Sequence, residues 1–492
     1  MDSSVQSKCV IPQRVIMGIM GSLAIIVSWL LRGSLSLAIT EMVVPLNNTG
    51  KNNVSIVCPV ETPTTIQSTI VSKMIGTRYD WTHQQQGYIH SAFACGYIIT
   101  HIPGALLAQK FGGKWVLGLN VLATTICNAA IPIGIEYGGI MALILLRALM
   151  GTANGSMFPA LSVLLSAWVP EKERGKLATF VMAGGEIAAI LSSYVSGMIL
   201  HHSTWPVVFY FWSFVALIWF IVFTLICSND PSSNSFIGRR ELDYLKREIG
   251  QLKRKKNLPP TPWKEICFCM PIVILTVTQI IGDYVMTIVG IYLPKYMKEV
   301  LGFSVQDIGF YLSLPHVLKL IVSLLSGFVS DYLISEQYLS TTQVRKIFAA
   351  LASVFPAGFI VAAVYAGCNR LLVVIWFVLS FGFQGFFYSS FRINILDLAP
   401  NYAGPIMAVI NGISSSAGIV APNIVGTMIS DSTHEQWKFV FWISFVLAVF
   451  RTVIYTIWGS AKIQSFNEPK KVPEAAELTR LNEDGKERET KK

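Results

Sequence analysis

Charge is scarce in this chain. Of its 492 residues only 13% are Asp, Glu, Lys or Arg, against roughly 25% in a soluble domain, while 53% are hydrophobic and the mean hydropathy is +0.54. An ordinary soluble globular protein is thereby excluded. Catalytic signatures are missing too: there is no G-x-S-x-G, no H-E-x-x-H and no Walker loop, and the histidines lack metal-ligand partners. An enzyme is a poor reading, and no cofactor is expected. The eight cysteines (Cys9, Cys58, Cys95, Cys127, Cys227, Cys267, Cys269 and Cys368) show no metal spacing apart from Cys267-x-Cys269 at a helix start. They read as small apolar residues. No cleavable leader is expected, because Val15–Leu31 runs into Arg32 and a further apolar stretch instead of a small-residue cleavage site.

What is present in abundance is hydrophobic sequence. A hydrocarbon core ~30 Å thick needs ~20 apolar helical residues to cross it. Apolar runs separated by polar or Gly/Pro punctuation fall at roughly 15–45, 84–108, 115–134, 139–167, 177–200, 205–227, 268–293, 306–333, 346–367, 371–396, 402–429 and 437–459. The pattern is six, a break, and six. It predicts an all-α membrane protein with twelve transmembrane helices in two pseudo-symmetric six-helix bundles. The expected divisions are an N-terminus over 1–14, a first bundle over 15–227, a basic linker over 228–264, a second bundle over 265–460 and a charged tail over 461–492.

The net charge of +10 does not point to nucleic acid, because the basic residues concentrate in segments that set membrane topology. The linker carries Arg239, Arg240, Lys246, Arg247, Lys253, Arg254, Lys255 and Lys256, which places it in the cytoplasm. An even number of spans then puts both termini on the same side. Asn47-Asn-Thr and Asn53-Val-Ser fall in the long first loop on the outer face, where glycosylation occurs; Asn154-Gly-Ser lies inside an apolar run and is read as accidental. Cys58 and Cys368 both fall in outer loops, where a disulfide between them can form. No acidic dileucine signal stands in either tail, which favours the plasma membrane over a vesicular or lysosomal one. The expected partners are the lipid bilayer and a small anion, with no obligate protein partner evident.

Ionisable side chains at membrane depth each cost roughly 2.5–3.5 kcal/mol on insertion scales and so mark candidate sites. Here they are Arg32, His90, Arg147, Glu186, Asp283, Lys319 and Arg392. Four fixed cations against two carboxylates predict a cationic interior suited to an anionic substrate. Arg32, His90, Arg147, Lys319 and Arg392 are the expected substrate contacts. Lys319 lies twelve residues from both Asp307 and Asp331, near the midplane of a straight helix. Gly151, Asn154 and Gly155 follow Arg147 at helical spacing, and Gly151-x-x-x-Gly155 is also the small-residue spacing of close helix packing. Glu186 is the best proton carrier by chemistry, with Asp283 and Asn154 as further coupling positions. Arg451, near the end of the last run, is expected to snorkel to the headgroups. Gly382, Gly385, Pro405, Gly412, Gly418, Pro422 and Gly426 give the tenth and eleventh helices the composition of bending or closely packed segments.

The halves echo one another. Leu107-Ala-Gln-Lys-Phe-Gly-Gly-Lys114 follows the second run and Gly327-Phe-Val-Ser-Asp331 the eighth; Pro170 through Gly197-Met-Ile is matched by Pro400 through Gly426-Thr-Met-Ile. The loop pattern resembles the major facilitator superfamily signature. More narrowly, Arg32-Gly-Ser-Leu-Ser-Leu-Ala-Ile, Gly96-Tyr-Ile-Ile-Thr-His-Ile-Pro-Gly104, Arg147-Ala-Leu-Met-Gly-Thr-Ala-Asn-Gly-Ser-Met-Phe-Pro159, Asn394-Ile-Leu-Asp-Leu-Ala-Pro400 and Asn411-Gly412 are similar to the anion:cation symporter family. That family holds the type I sodium-phosphate cotransporters, sialin and the vesicular glutamate transporters, and this chain most resembles insect members described as inorganic phosphate cotransporters. The resemblance implies anion binding at Arg32 and Arg147, with His90 on the same route. It also implies gating by the signature loops, here Lys114, Gly327 and Asp331. Three positions depart from the family: Asn154 where proton-coupled members have glutamate, Gly282 where the glutamate transporters have arginine, and Gln109 in place of the first signature acid. The expectation is therefore cation-coupled symport of inorganic phosphate or an organic anion by alternating access, with Na+ or H+ as coupling ion. The alternatives are a proton-coupled carboxylate or sialate-like transporter of an intracellular membrane, or a non-transporting anion sensor.

Overall fold

The computed structural model describes residues 12–44, 77–255, 261–429 and 434–467. Its spans are α1 (Gln13–Met42), α2 (His83–Phe111), α3 (113–138), α4 (140–154, continued by Met157–Trp168), α5 (Glu171–His202) and α6 (Trp205–Ile226) in the first bundle. The second holds α7 (Met270–Glu299), α8 (Val305–Ser335), α9 (Thr341–Leu351 and Val354–Tyr365), α10 (Arg370–Gln384, a π turn at Tyr388–Arg392, then Ile393–Leu398), α11 (Ala403–Ser414 and Ala417–Met428) and α12 (His434–Trp458). An isolated bridge, Val43 with Tyr79, is the one strand-like pairing among the described residues.

The helical stretch Gly113–Trp168 is 56 residues long and counts as one of eleven uninterrupted apolar stretches. At 1.5 Å per residue it would be about 84 Å, more than twice the hydrocarbon thickness. It is two spans folded at Gly139, whose φ of 57° and ψ of −146° leave the helical region. Contacts across the fold have the falling register of an antiparallel hairpin: Asn120 Nδ2 donates to Ser156 Oγ (3.1 Å), Asn154 Nδ2 to Thr124 Oγ1 (3.4 Å), and a Cβ on Gly134 would lie 2.8 Å from Leu146 Cδ1. Among the described residues, twelve spans result.

Between the bundles, the linker contains a helix, Arg239–Lys255, that hydropathy alone does not show. Leu245 on this helix is buried. Glu241 receives the backbone N–H groups of Gln13 (2.8 Å) and Arg14 (3.1 Å), capping an α1 start that has no side-chain cap of its own. Arg14 Nε also donates to Glu173 Oε2 (2.8 Å) and Tyr244 OH to Glu173 Oε1 (3.2 Å), so linker, α1 and α5 meet at one polar node.

The bundles are joined on the side away from the linker. There Lys298 Nζ donates to the Thr40 carbonyl and to Glu41 Oε1 (2.7 Å), and Lys295 Nζ to His83 Nδ1 and Gln86 Oε1 (2.7 Å). Asn423 Nδ2 donates to Ser91 Oγ (2.9 Å). Glycines set the closest approaches: a Cβ on Gly87 would lie 2.7 Å from the Pro422 carbonyl oxygen, and one on Gly197 only 2.8 Å from Gly309 Cα. One hydrophobic cluster spans both bundles, from Met17 to Phe441, whereas a second, from Ile266 to Tyr455, belongs to the second bundle near the linker face alone. The far side is shut in this state.

Cys368 is disulfide-bonded. Its expected partner Cys58 lies outside the described residues, as do the sequons Asn47 and Asn53.

Candidate functional site

Close helix packing places the first group of cations. A Cβ on Gly96 would lie 2.1 Å from the Ala148 carbonyl oxygen, and one on Gly151 would lie 2.0 Å from the Phe93 carbonyl oxygen. The backbones of α2 and α4 therefore touch, and Arg147 is held over the Phe93 ring at 5.1 Å. Arg32 of α1 lies over the same ring at 4.7 Å and over Trp29 at 5.4 Å. Arg147 is buried; its Nη1 reaches the Arg32 carbonyl oxygen at 3.5 Å, and its Nε has no acceptor. Arg32 is exposed although it stands well inside α1, so it faces the space between the bundles. His90 is buried on α2, its ring 6.4 Å from that of Tyr292 across the bundle boundary, and it interacts electrostatically with Arg147, Lys295 and Arg32. Asn154, expected beside Arg147, instead turns its side chain to Thr124 of α3, inside the first bundle.

The second bundle supplies a mixed-charge group. Asp283 of α7 accepts from Gln279 Nε2 (2.8 Å) and interacts electrostatically with Arg32, Arg392 and Arg451. Arg392 closes the π turn of α10, a wide helical turn of the kind found at functional sites, and donates to Asn411 Oδ1 (3.2 Å). Arg451 does not snorkel. It is only 6% exposed, stacks on Phe391 at 4.0 Å, and packs its guanidinium against Gly282, where a Cβ would lie 2.7 Å from Cζ. The absent side chain at 282 makes the room that keeps Arg451 inside.

Glu186 bridges the bundles near the middle of α5. Its Oε1 pairs with Lys319 Nζ at 2.8 Å and accepts from Tyr388 OH at 3.0 Å, while Oε2 meets His316 Nδ1 at 3.0 Å. Lys319, expected on the substrate, is thus engaged by Glu186. His316 and Tyr388 are additions to the sequence-derived set. His316 stands one helical turn before Lys319 inside an apolar run, and the same membrane-depth rule applied to it would have found it.

The residues expected to gate lie at the linker face. Lys114 Nζ donates to the Thr224 carbonyl (2.9 Å) within the first bundle. Asp331 is exposed, and Gly327 has open space around its Cα. Arg345, which follows the second signature, pairs with Asp397 (2.7 Å) from Asn394-Ile-Leu-Asp397 and also donates to Ser330 Oγ (2.8 Å) and the Ser389 carbonyl (2.9 Å). It ties α8, α9 and α10 together inside the second bundle.

Two six-helix bundles shut on one side, with buried charges between them, define a membrane carrier. The Major Facilitator Superfamily profile matches residues 21–422. Sialin from Homo sapiens is 33% identical over 437 residues, covering 89% of this chain and 87% of that protein. Vesicular glutamate transporter 1 from Bos taurus is 30% identical over 469 residues (94% and 80%), and a Drosophila melanogaster protein named "Putative inorganic phosphate cotransporter" 32% over 398 residues (80% and 75%). Among solved structures, the fold matches an inward-facing, occupied bacterial homolog of the lysosomal transporter Spinster with a TM-score of 0.66 at 12% identity, covering 91% of this chain and 97% of that one. The xylose transporter XylE from E. coli, in an inward open conformation, matches with a TM-score of 0.64 at 12% identity, covering 90% and 95%. The chain belongs to the major facilitator superfamily, in the anion:cation symporter group. It is a multi-pass alternating-access transporter and not an enzyme.

Proposed function

We propose that the chain carries a small organic or inorganic anion in symport with a cation, and that Arg32 and Arg147 bind the anion from the first bundle while Arg392 approaches from the second. The observation that carries this reading is the arginine pair on Phe93. A buried N–H without an acceptor is a free-energy liability of about 1–3 kcal/mol, more for a charged group; the unpartnered Nε of Arg147 is relieved when a carboxylate or phosphate oxygen arrives. His90 lines the same route. Two of the relatives are named for glutamate and inorganic phosphate, both anions at neutral pH.

Glu186 is the proposed coupling group. As a carboxylate it holds Lys319, His316 and Tyr388 of the second bundle; protonation removes the charge that these donors share and loosens the bundles at the midplane. Glu186→Gln is expected to abolish pH-driven uptake into proteoliposomes while anion binding persists. Unaltered pH-driven uptake removes Glu186 from coupling, and wild-type uptake that follows a sodium gradient while ignoring pH makes sodium the driving ion. By the positive-inside rule the linker face is cytoplasmic, so the described state opens inward. Both termini then lie in the cytoplasm, the sequons Asn47 and Asn53 fall on the exoplasmic side where glycosylation occurs, and the plasma membrane is the favoured location. Asp331 and Lys114, on the linker face, belong to the contacts that form when that face closes.

A further inference from the structure

Arg451 is a buried cation of the second bundle that the binding scheme above does not use. Its Nε and Nη2 are both buried and donate to nothing. Such a group needs an anion. The carboxylate at hand, Asp283, is shared: it interacts with Arg32 from α1 and Arg392 from α10 as well as with Arg451 from α12. Its hydrogen bonds come from Gln279 (2.8 Å) and Ser414. Three guanidinium groups from three helices, drawn from both bundles, therefore act electrostatically on one carboxylate. Phe391 covers one face of Arg451, and Gly282 leaves the backbone of α7 open to it. The planar, forked donor set of arginine suits a carboxylate or phosphate, and two of its donors here remain free for one.

We propose that Arg451 donates to the transported anion from the second bundle, and that Asp283 is the resident counter-ion that this anion displaces. The inference rests on the anion reading of the site. In the empty protein the Asp283 carboxylate balances the arginines; an incoming anion competes with it for the same field, so the wild-type affinity is the difference between the two interactions. Asp283 thereby keeps the site from holding its cargo too tightly to release it.

The test is anion binding to the purified full-length chain by calorimetry, with inorganic phosphate, glutamate and N-acetylneuraminate as probes. Asp283→Asn is expected to bind the preferred probe about tenfold more tightly, Asp283→Glu to behave as wild type, and Arg451→Gln to bind about tenfold more weakly, each tenfold being about 1.4 kcal/mol. Asp283→Asn combined with Arg451→Gln should show a smaller gain over Arg451→Gln alone than Asp283→Asn shows over wild type, because the share of the competition that is for that guanidinium is gone. A gain that survives undiminished at about tenfold in the double variant marks a long-range charge effect and overturns the proposal, as does unchanged or weaker binding by Asp283→Asn. Should Asp283→Asn not fold, Arg451→Gln alone decides, with wild-type affinity as the contradicting result. If the wild type binds none of the three probes, the anion reading itself fails and this inference falls with it; if it binds and the variants match it, only this inference falls.

Discussion

Two buried charges in the membrane interior have opposite fates. Glu186 is satisfied by three partners, whereas Arg147 keeps an N–H with nothing to receive it. The first arrangement holds the bundles together, and the second is the group proposed to receive the anion. Arg147→Lys keeps the charge but loses the flat stacking on Phe93 and the forked donors. It should weaken anion binding about tenfold, roughly 1.4 kcal/mol, by calorimetry; equal affinity would place Arg147 outside the site. Hydropathy made seven ionisable positions at membrane depth legible, because charge in an apolar run is visible in one dimension, although that set passes over His316. Their pairing was not legible. That Lys319 serves Glu186 depends on α5 and α8 meeting across the bundle boundary, and that Arg451 turns inward depends on an absent side chain at Gly282.

At the scale of the element, small residues decide where the cations stand. Gly151 leaves no room for a Cβ against the Phe93 carbonyl, at 2.0 Å, while a Cβ on Gly185 meets nothing within 4 Å. Gly151→Ala should therefore lower stability by about 2 kcal/mol, as overpacking does, and displace Arg147 from Phe93; Gly185→Ala should leave the melting temperature in detergent unchanged. Equal melting of the two variants would contradict the packing account. Most span boundaries were legible to within about six residues because the bilayer imposes a length, and the fold at Gly139 falls at the start of the run 139–167, next to the gap expected at 135–138. The first turns of α5, from Glu171, and the linker helix Arg239–Lys255 were not, since charged helical turns outside the bilayer leave no mark on a hydropathy profile.

For the whole molecule, closure on one face implies a second state in which that face opens and the linker face closes. Ser91→Cys with Asn423→Cys replaces a 2.9 Å polar contact across the shut side by a covalent one. Oxidised protein should bind anion yet not transport it, and reduction should restore flux; undiminished flux in the oxidised form would mean that α2 and α11 do not separate in the cycle. The central claim is carriage of an anion through the arginine site. Uptake of labelled phosphate into proteoliposomes, with sodium and pH gradients imposed separately and glutamate and N-acetylneuraminate run in parallel, tests it most directly. Gradient-driven uptake of at least one of these anions, lost in Arg147→Ala, is the result expected. Anion bound without flux under either gradient, or flux indifferent to Arg147, would contradict it.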